Sequence, residues 1–177
     1  MPSIYSVLAF ATAITALPSL QQARDVSTVL ANLETIDEDT NSLTSALTTW
    51  GGDALGALTI GADVNTIEAD VNSATAEADT EAQADSADST TILDYTSGTL
   101  GPDIIAALDA LTAHQADFAS LGLTADVLQD LQTLQADVDA LGAALVTLAS
   151  DDTQAEATTI VAEVDAAFAS AEAVFSS

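Results

Sequence analysis

The fold is decided by residues 127–148, which read VLQDLQTLQADVDALGAALVTL. Large aliphatic side chains recur there at alternating steps of four and three residues, at Val127, Leu131, Leu134, Val138, Leu141, Leu145 and Leu148. This spacing keeps all of them on one stripe of an α-helix, whereas a half-buried strand needs alternation at every second residue. The stretch therefore predicts a long amphipathic helix that packs its stripe against other helices.

The same rhythm predicts further helices, and no segment sustains the alternation of a strand. Gly51-Gly52 ends the first of them, and Gly101-Pro102 predicts the start of a new one, because proline fits the first turn of a helix. Cysteine is absent, so no disulfide forms. We expect an all-α, antiparallel bundle of five or six amphipathic helices in a single domain. The other segments that show the rhythm are 29–50, 60–78, 92–100, 104–118 and 157–175.

The charge of the chain is extreme. It carries 28 acidic residues and a formal net charge of -27, and its one Lys or Arg residue is Arg24. No Lys or Arg salt bridge is possible beyond that residue, so the fold must depend on apolar burial and backbone hydrogen bonds. Such a charge argues against nucleic-acid binding, which needs a basic surface.

The amino-terminal residues resemble a secretion signal. The apolar run from Ile4 to Leu17 is shorter than the roughly 20 residues that span a bilayer, and Ala11-Thr12-Ala13 has the spacing of a cleavage site. We expect residues 1–24 to be a signal peptide with a short pro-segment and residues 25–177 to be the mature domain. Because Met1-Pro2-Ser3 lacks the usual Lys, a buried first helix remains the alternative. The protein is expected to be secreted, extracellular or in a cell wall, with no transmembrane segment in the mature chain.

No pattern predicts catalysis, a metal site or a cofactor. His114 is the sole histidine, which excludes a multi-histidine zinc site, and no Gly-x-Ser-x-Gly turn is present. Asp37-Glu38-Asp39 resembles the start of a calcium loop, but Ser42 replaces the turn glycine and Thr48 replaces the bidentate glutamate. The chain is therefore expected not to be an enzyme.

The order of several segments is characteristic. Residues 29–33 (VLANL) lead to Trp50-Gly51-Gly52, residues 104–111 read IIAALDAL, and Gly122-Leu123 leads into residues 127–131. In this order the chain resembles the fungal hydrophobic surface-binding protein A family, which includes the cell wall galactomannoproteins. The resemblance runs from about Asp25 to Phe175.

The resemblance implies a secreted, noncatalytic helical protein that adsorbs to hydrophobic surfaces or holds fatty acids in its interior. It also implies recruitment of a polyester-degrading hydrolase such as a cutinase. On this basis we expect the lipid-contacting wall to consist of Leu108, Leu111, Phe118, Leu131, Leu134, Val138, Leu141 and Phe168; the alternative is that these side chains are ordinary core.

Recognition of a lipid head group is a separate expectation. Family members usually carry lysines near the position of His114 and Gln115, and this chain has none. A lipid carboxylate must then bind protonated or meet neutral donors, for which the candidates are Thr112, His114, Gln115 and Ser120. Another reading of the whole chain is a structural, O-glycosylated cell wall mannoprotein without a ligand.

Overall fold

The computed structural model describes residues 26–177, so the predicted signal peptide and pro-segment at residues 1–24 lie outside the described residues. All regular structure within 26–177 is helical, which confirms the predicted all-α class. A π-helical turn, Thr96–Leu100, separates the third and fourth helices. The α-helices are α1 (Val26–Thr49), α2 (Ala54–Thr80), α3 (Ser86–Tyr95), α4 (Gly101–Ala113), α5 (Gln115–Leu121), α6 (Thr124–Leu148) and α7 (Gln154–Phe175).

Five of the helices form a closed ring. α1 packs on α2, α2 on α6, α6 on α7, α7 on α4 and α4 back on α1. The stripe that the sequence predicts for α6 faces the inside of this ring, where Leu131, Leu134 and Leu148 are buried. Because each helix turns one apolar stripe inward, the ring encloses one apolar core, as in a helical bundle.

Aspartates begin two of the helices. The Asp53 carboxylate accepts hydrogen bonds from the backbone amides of Leu55 and Gly56 at 3.0 and 2.9 Å, which starts α2. The Asp85 carboxylate does the same for α3. The Trp50 indole Nε1 donates to the Asp53 backbone oxygen at 2.9 Å and fixes the corner between α1 and α2. These caps satisfy amides that have no partner within a helix.

The predicted helix start at Gly101-Pro102 is confirmed, since α4 begins at Gly101 with proline in its first turn, but no loop precedes it. The chain passes from α3 to α4 without a loop, and the Gly101 amide donates to the Thr96 carbonyl five residues earlier. Proline clashes with the carbonyl of the preceding turn of an α-helix, and the wider π-turn relieves that clash. A Cβ at position 101 would lie 2.9 Å from the Thr96 oxygen, so the turn requires glycine there.

The predicted single helix over 104–118 is also divided. His114, with φ -97° and ψ 12°, interrupts it, so that α5 follows α4 as a separate short helix. Gly122 ends α5 in the left-handed conformation, with φ 76°. That ending matches the glycine signal in the sequence.

Carboxyl groups meet between the helices in three places. Burial, followed by a hydrogen bond with the Asp103 carboxyl, raises the pKa of Asp37. A hydrogen bond with Asp39, followed by burial, raises the pKa of Asp70. Burial, followed by a hydrogen bond with Asp139, raises the pKa of Asp165. One shared proton is needed to join each pair, because two ionised carboxylates repel each other.

Candidate functional site: an apolar cavity

A cavity of about 610 Å³ lies at the centre of the bundle. Its size is within the range of roughly 300–1,000 Å³ that small-molecule sites occupy. Of its 27 lining residues, only four have polar side chains. The apolar lining residues are Ile36, Leu43, Ala54, Ala57, Leu58, Ile60, Gly61, Ala62, Val64, Ile67, Val71, Ile104, Ala107, Leu108, Leu111, Phe118, Leu121, Leu123, Val127, Leu131, Leu134, Val138 and Phe168.

The cavity exists because α2 presents small side chains beside large ones. Ile60, Val64, Ile67 and Val71 line it at the same four and three residue steps as the stripe of α6. Gly61 also lines the cavity, and a Cβ built there would meet no atom within 4 Å. Small residues let the backbones approach but do not fill the space that the surrounding leucines enclose.

The structure brings together seven of the eight residues expected to form the lipid-contacting wall. Their contact with a lipid remains a prediction. Leu141 is the exception: it is buried on α6 but does not line the cavity. The seven that line it are Leu108, Leu111, Phe118, Leu131, Leu134, Val138 and Phe168.

None of the four expected head-group residues lines the cavity. The hydroxyls of Thr112 and Ser120 donate to the backbone oxygens of Asp109 and Asp117, at 2.9 and 2.8 Å. His114 Nδ1 lies 2.7 Å from an Asp117 carboxylate oxygen. Gln115 opens α5 outside the cavity lining. These four residues therefore lie outside the lining, and their contact with a lipid head group stays a prediction.

His114 belongs instead to an aromatic cluster at one end of the bundle. Its ring centroid lies 5.3 Å from that of Trp50, and Trp50 lies 4.5 Å from Phe118. Phe175 extends the cluster, 6.1 Å from Phe118. Such distances are those of packed aromatic pairs. Within the cluster only Phe118 also lines the cavity, so Trp50 and Phe175 are core anchors.

The four polar side chains of the lining are Thr40, Asn65, Asp126 and Asp130. Thr40 is buried and its hydroxyl donates to the Ile36 carbonyl at 2.7 Å. Asn65 is exposed and its amide nitrogen donates to the Gly61 carbonyl at 2.6 Å. Both aspartates are exposed at the start of α6. The cavity thus has one buried polar group and a polar mouth between α2 and α6.

The mouth is negatively charged. Asp130 is exposed as a residue, but partial burial of its carboxyl group, followed by the Asp126 charge, raises the pKa of Asp130. Burial also raises the pKa of Glu68 on α2, to which the charges of Asp130 and Asp137 add. These shifts show that carboxylates from both helices lie close enough to repel one another.

Exposed leucines border the same mouth. Leu58 lines the cavity yet keeps 72% of its surface exposed, and Leu55, one turn earlier on α2, keeps 74%. Most large aliphatic side chains of the described region are covered, so these two leucines form an apolar surface beside the cavity.

Helices α1 and α2 supply a part of the wall that was not predicted from the sequence. Ile36, Leu43 and the α2 series from Ile60 to Val71 line the cavity as fully as the predicted residues do. The signal was present, since both helices show the same spacing as α6. Spacing alone does not tell which side chains pack tightly and which border a space.

The residues that resemble the start of a calcium loop do not form a loop. Asp37 to Ser42 lie inside α1, so their side chains follow a helix rather than a loop. Among residues 26–177, no three His, Cys, Asp or Glu side chains are grouped so as to hold a metal ion. In the same range, every helix is too short or too polar to cross a membrane.

The ring of helices and its apolar centre define a helical-bundle protein with an internal ligand-sized cavity. The chain belongs to the hydrophobic surface binding protein A family, whose sequence model matches residues 26–147. A comparison with curated proteins found no match.

Solved structures share the fold. AfMP4p, in complex with palmitic acid, is 38% identical, with a TM-score of 0.83 over 85% of this chain and 99% of that one. Ligand-binding domain 1 of the Penicillium marneffei MP1 protein, with arachidonic acids, is 15% identical, with a TM-score of 0.81 over 86% of this chain and 99% of that one. Domain 2 of the same protein, with multiple arachidonic acids, is 16% identical, with a TM-score of 0.79 over 86% and 96%.

Proposed function

We propose that this chain is a secreted, noncatalytic protein that takes the acyl chain of a fatty acid or related lipid into its central cavity. The observation that carries the proposal is the 610 Å³ cavity with aliphatic walls from every part of the ring. The palmitic acid complex of AfMP4p, at 38% identity, supports it. Burial of each methylene group contributes about 0.8 kcal/mol, so a long chain binds without an ionic contact.

Filling the cavity tests the proposal. In Gly61→Phe the new side chain extends into open space that borders the lining, so we expect loss of acyl ligand binding with the fold retained. Gly98→Phe is the matched control, because a Cβ at position 98 also meets nothing within 4 Å and Gly98 is outside the lining. Displacement of the fluorescent probe N-phenylnaphthylamine by dodecanol reports binding. Equal binding by both variants and the wild type contradicts the proposal.

Adsorption to hydrophobic surfaces is a second candidate function, favoured by the exposed Leu55 and Leu58. In this proposal the two leucines contact an apolar solid first. The adjoining cavity lining then also contacts the solid when α2 moves away from α6. We expect the double variant Leu55→Ser/Leu58→Ser to adsorb less to a polystyrene-coated quartz balance. Val174→Ser, at a side chain 37% exposed on α7, is the control. Unchanged uptake by the double variant would remove this candidate.

Recruitment of a polyester-degrading hydrolase is the remaining part of the proposal. Because the mature chain carries only negative charge at neutral pH, such a partner needs a basic face. Co-sedimentation of a cutinase with this protein in the absence of polymer tests direct contact.

Secretion and the alternative of a ligand-free wall mannoprotein are tested together. Native mass spectrometry of the protein from culture medium reports its amino terminus, its glycans and any retained lipid. A mature chain that starts near Asp25 and carries lipid supports the proposal, whereas a glycosylated chain without lipid supports the alternative.

A further inference from the structure

We propose that the cavity selects lipids with an uncharged head group, namely fatty alcohols, esters and protonated fatty acids, and rejects the fatty acid anion. This inference rests on the proposed function and specifies its ligand. A head group can lie in two places, at the buried end near Thr40 or at the mouth between α2 and α6.

At the buried end a head group meets only Thr40, which is 3% exposed. The hydrogen of its hydroxyl is already donated to the Ile36 carbonyl, so its oxygen can only accept a hydrogen bond from a ligand. A carboxylate needs donors, and burial of a charge without them is strongly unfavourable. An alcohol or a protonated acid instead donates to the Thr40 oxygen.

At the mouth an anion meets charges of its own sign. Asp126 and Asp130 line the cavity, and their neighbours Glu68 and Asp137 add to the negative potential. Like charges at a few ångströms repel by about 1 kcal/mol even in water, and by more near a protein surface. Asn65 uses one amide hydrogen for the Gly61 carbonyl and has a second one for a neutral oxygen.

The two helices that start near the mouth do not offset this repulsion. A helix start attracts anions, but the Asp53 carboxylate already caps α2. Asp126 lies in the first turn of α6 and neutralises that end in the same way. No Lys or Arg follows Arg24, and His114 lies against Asp117, outside the lining.

The proposal predicts different pH responses for two ligands of equal length. If only the neutral acid binds, its apparent affinity follows the neutral fraction and falls about tenfold for each pH unit above the carboxyl pKa. Displacement of N-phenylnaphthylamine from the wild type is measured for dodecanoic acid and for dodecanol at about pH 5 and about pH 7. We expect the acid to weaken at the higher pH and the alcohol to bind equally at both.

Charge removal at the mouth provides the second measurement. Asp126→Asn/Asp130→Asn should strengthen dodecanoate binding at neutral pH by about thirtyfold, since each of the two like charges removed is worth about 1 kcal/mol. The gain for dodecanoate should be much larger than any change in dodecanol binding. The control Asp94→Asn/Asp109→Asn removes the same charge at exposed positions of α3 and α4 outside the lining. An equal gain in the control attributes the effect to net charge and contradicts the proposal.

The outcomes separate this inference from the proposed function. Dodecanoate that binds at neutral pH as well as dodecanol overturns the selectivity and leaves acyl binding standing. Failure of both ligands to displace the probe at either pH overturns the proposed function and, with it, the selectivity.

Discussion

Trp50 and Gly56 show how closely the corner between α1 and α2 is packed. A Cβ at position 56 would overlap the indole ring of Trp50, whose Nε1 is hydrogen-bonded to the Asp53 backbone. We expect Gly56→Ala to lower stability by about 1–3 kcal/mol, the usual cost of overpacking. Thermal unfolding followed by circular dichroism measures the change.

Gly61→Ala is the matched control, because it makes the same chemical change on the same helix where a Cβ meets nothing. Alanine is favoured over glycine within a helix by about 1 kcal/mol, so this variant should gain stability. If Gly56→Ala is as stable as Gly61→Ala, the close packing of Trp50 on α2 is contradicted.

Residue-scale features of this kind are largely invisible in the sequence. Gly56 and Gly61 are both glycines within the same helical rhythm, and only the path of the chain decides which of them lies under an indole. Asp53 and Asp85 are common residues for a helix start, but this chain contains so many aspartates that composition hides the two that cap.

Between elements, three carboxyl pairs with raised pKa values lie where other proteins place salt bridges. The Asp39–Asp70 pair joins α1 to α2 and raises the pKa of Asp70. We expect Asp70→Asn to stabilise the protein at neutral pH by about 1 kcal/mol, because an amide donates a hydrogen bond without needing a proton. The gain should shrink in acid, where the wild-type carboxyl is itself protonated.

The measurement is the melting temperature of wild type and variant at about pH 7 and about pH 4. Asp94→Asn serves as the control, since Asp94 is exposed on α3. A gain that is the same at both pH values contradicts the shared proton and indicates only relief of net charge.

At the element scale the sequence predicted the helices from their stripes but not all of their boundaries. The stripe of α6 is found as predicted, because large aliphatic residues at that spacing have no other way to be covered. The Gly101-Pro102 signal located the start of α4 correctly. It did not reveal that a π-turn, and no loop, precedes that start, because proline is compatible with both. His114 interrupts the chain without any glycine or proline signal.

The candidate site was predictable to a similar extent. The apolar spacing on α4 to α7 identified seven residues that line the cavity, since apolar stripes must face the interior. The spacing did not show that the four head-group candidates lie outside the lining, because their placement depends on the direction of the chain after His114. The acidic mouth needs the contact of α2 with α6, which joins residues far apart in sequence.

For the whole molecule, the raised carboxyl pKa values predict greater stability in mild acid. The pKa values of Asp37, Glu68, Asp70, Asp130 and Asp165 are all raised, chiefly by burial except at Asp70. A carboxyl with a raised pKa binds its proton more tightly when folded, so its contribution is full below the unfolded value and is lost as pH rises through the folded value. Hydrogen bonds from Ser150 and Ser86 lower the pKa of Asp152, so this carboxyl contributes stability at higher pH and loses it in acid.

We therefore expect the melting temperature to rise as the pH is lowered from about 7 toward about 4, within the soluble range. Thermal unfolding across this range, in buffers of constant ionic strength, checks it. A melting temperature that falls steadily with acid would contradict the stabilising effect expected from the raised pKa values.

Adsorption to apolar surfaces should likewise increase as the pH is lowered. A net charge of -27 repels the molecules from one another in a layer, and protonation near pH 4 weakens that repulsion. We expect quartz-balance uptake on an apolar film to increase as pH falls from about 7 toward about 4. Equal or weaker uptake in acid would contradict it.

The chain contains a single tryptophan, and it lies in the aromatic cluster rather than in the cavity wall. Its natural emission therefore comes from one known place, packed against the rings of His114 and Phe118. That emission reports on one end of the bundle without any label. Ligand filling the centre leaves this signal untouched unless the end itself rearranges, so local opening and occupancy become separately visible.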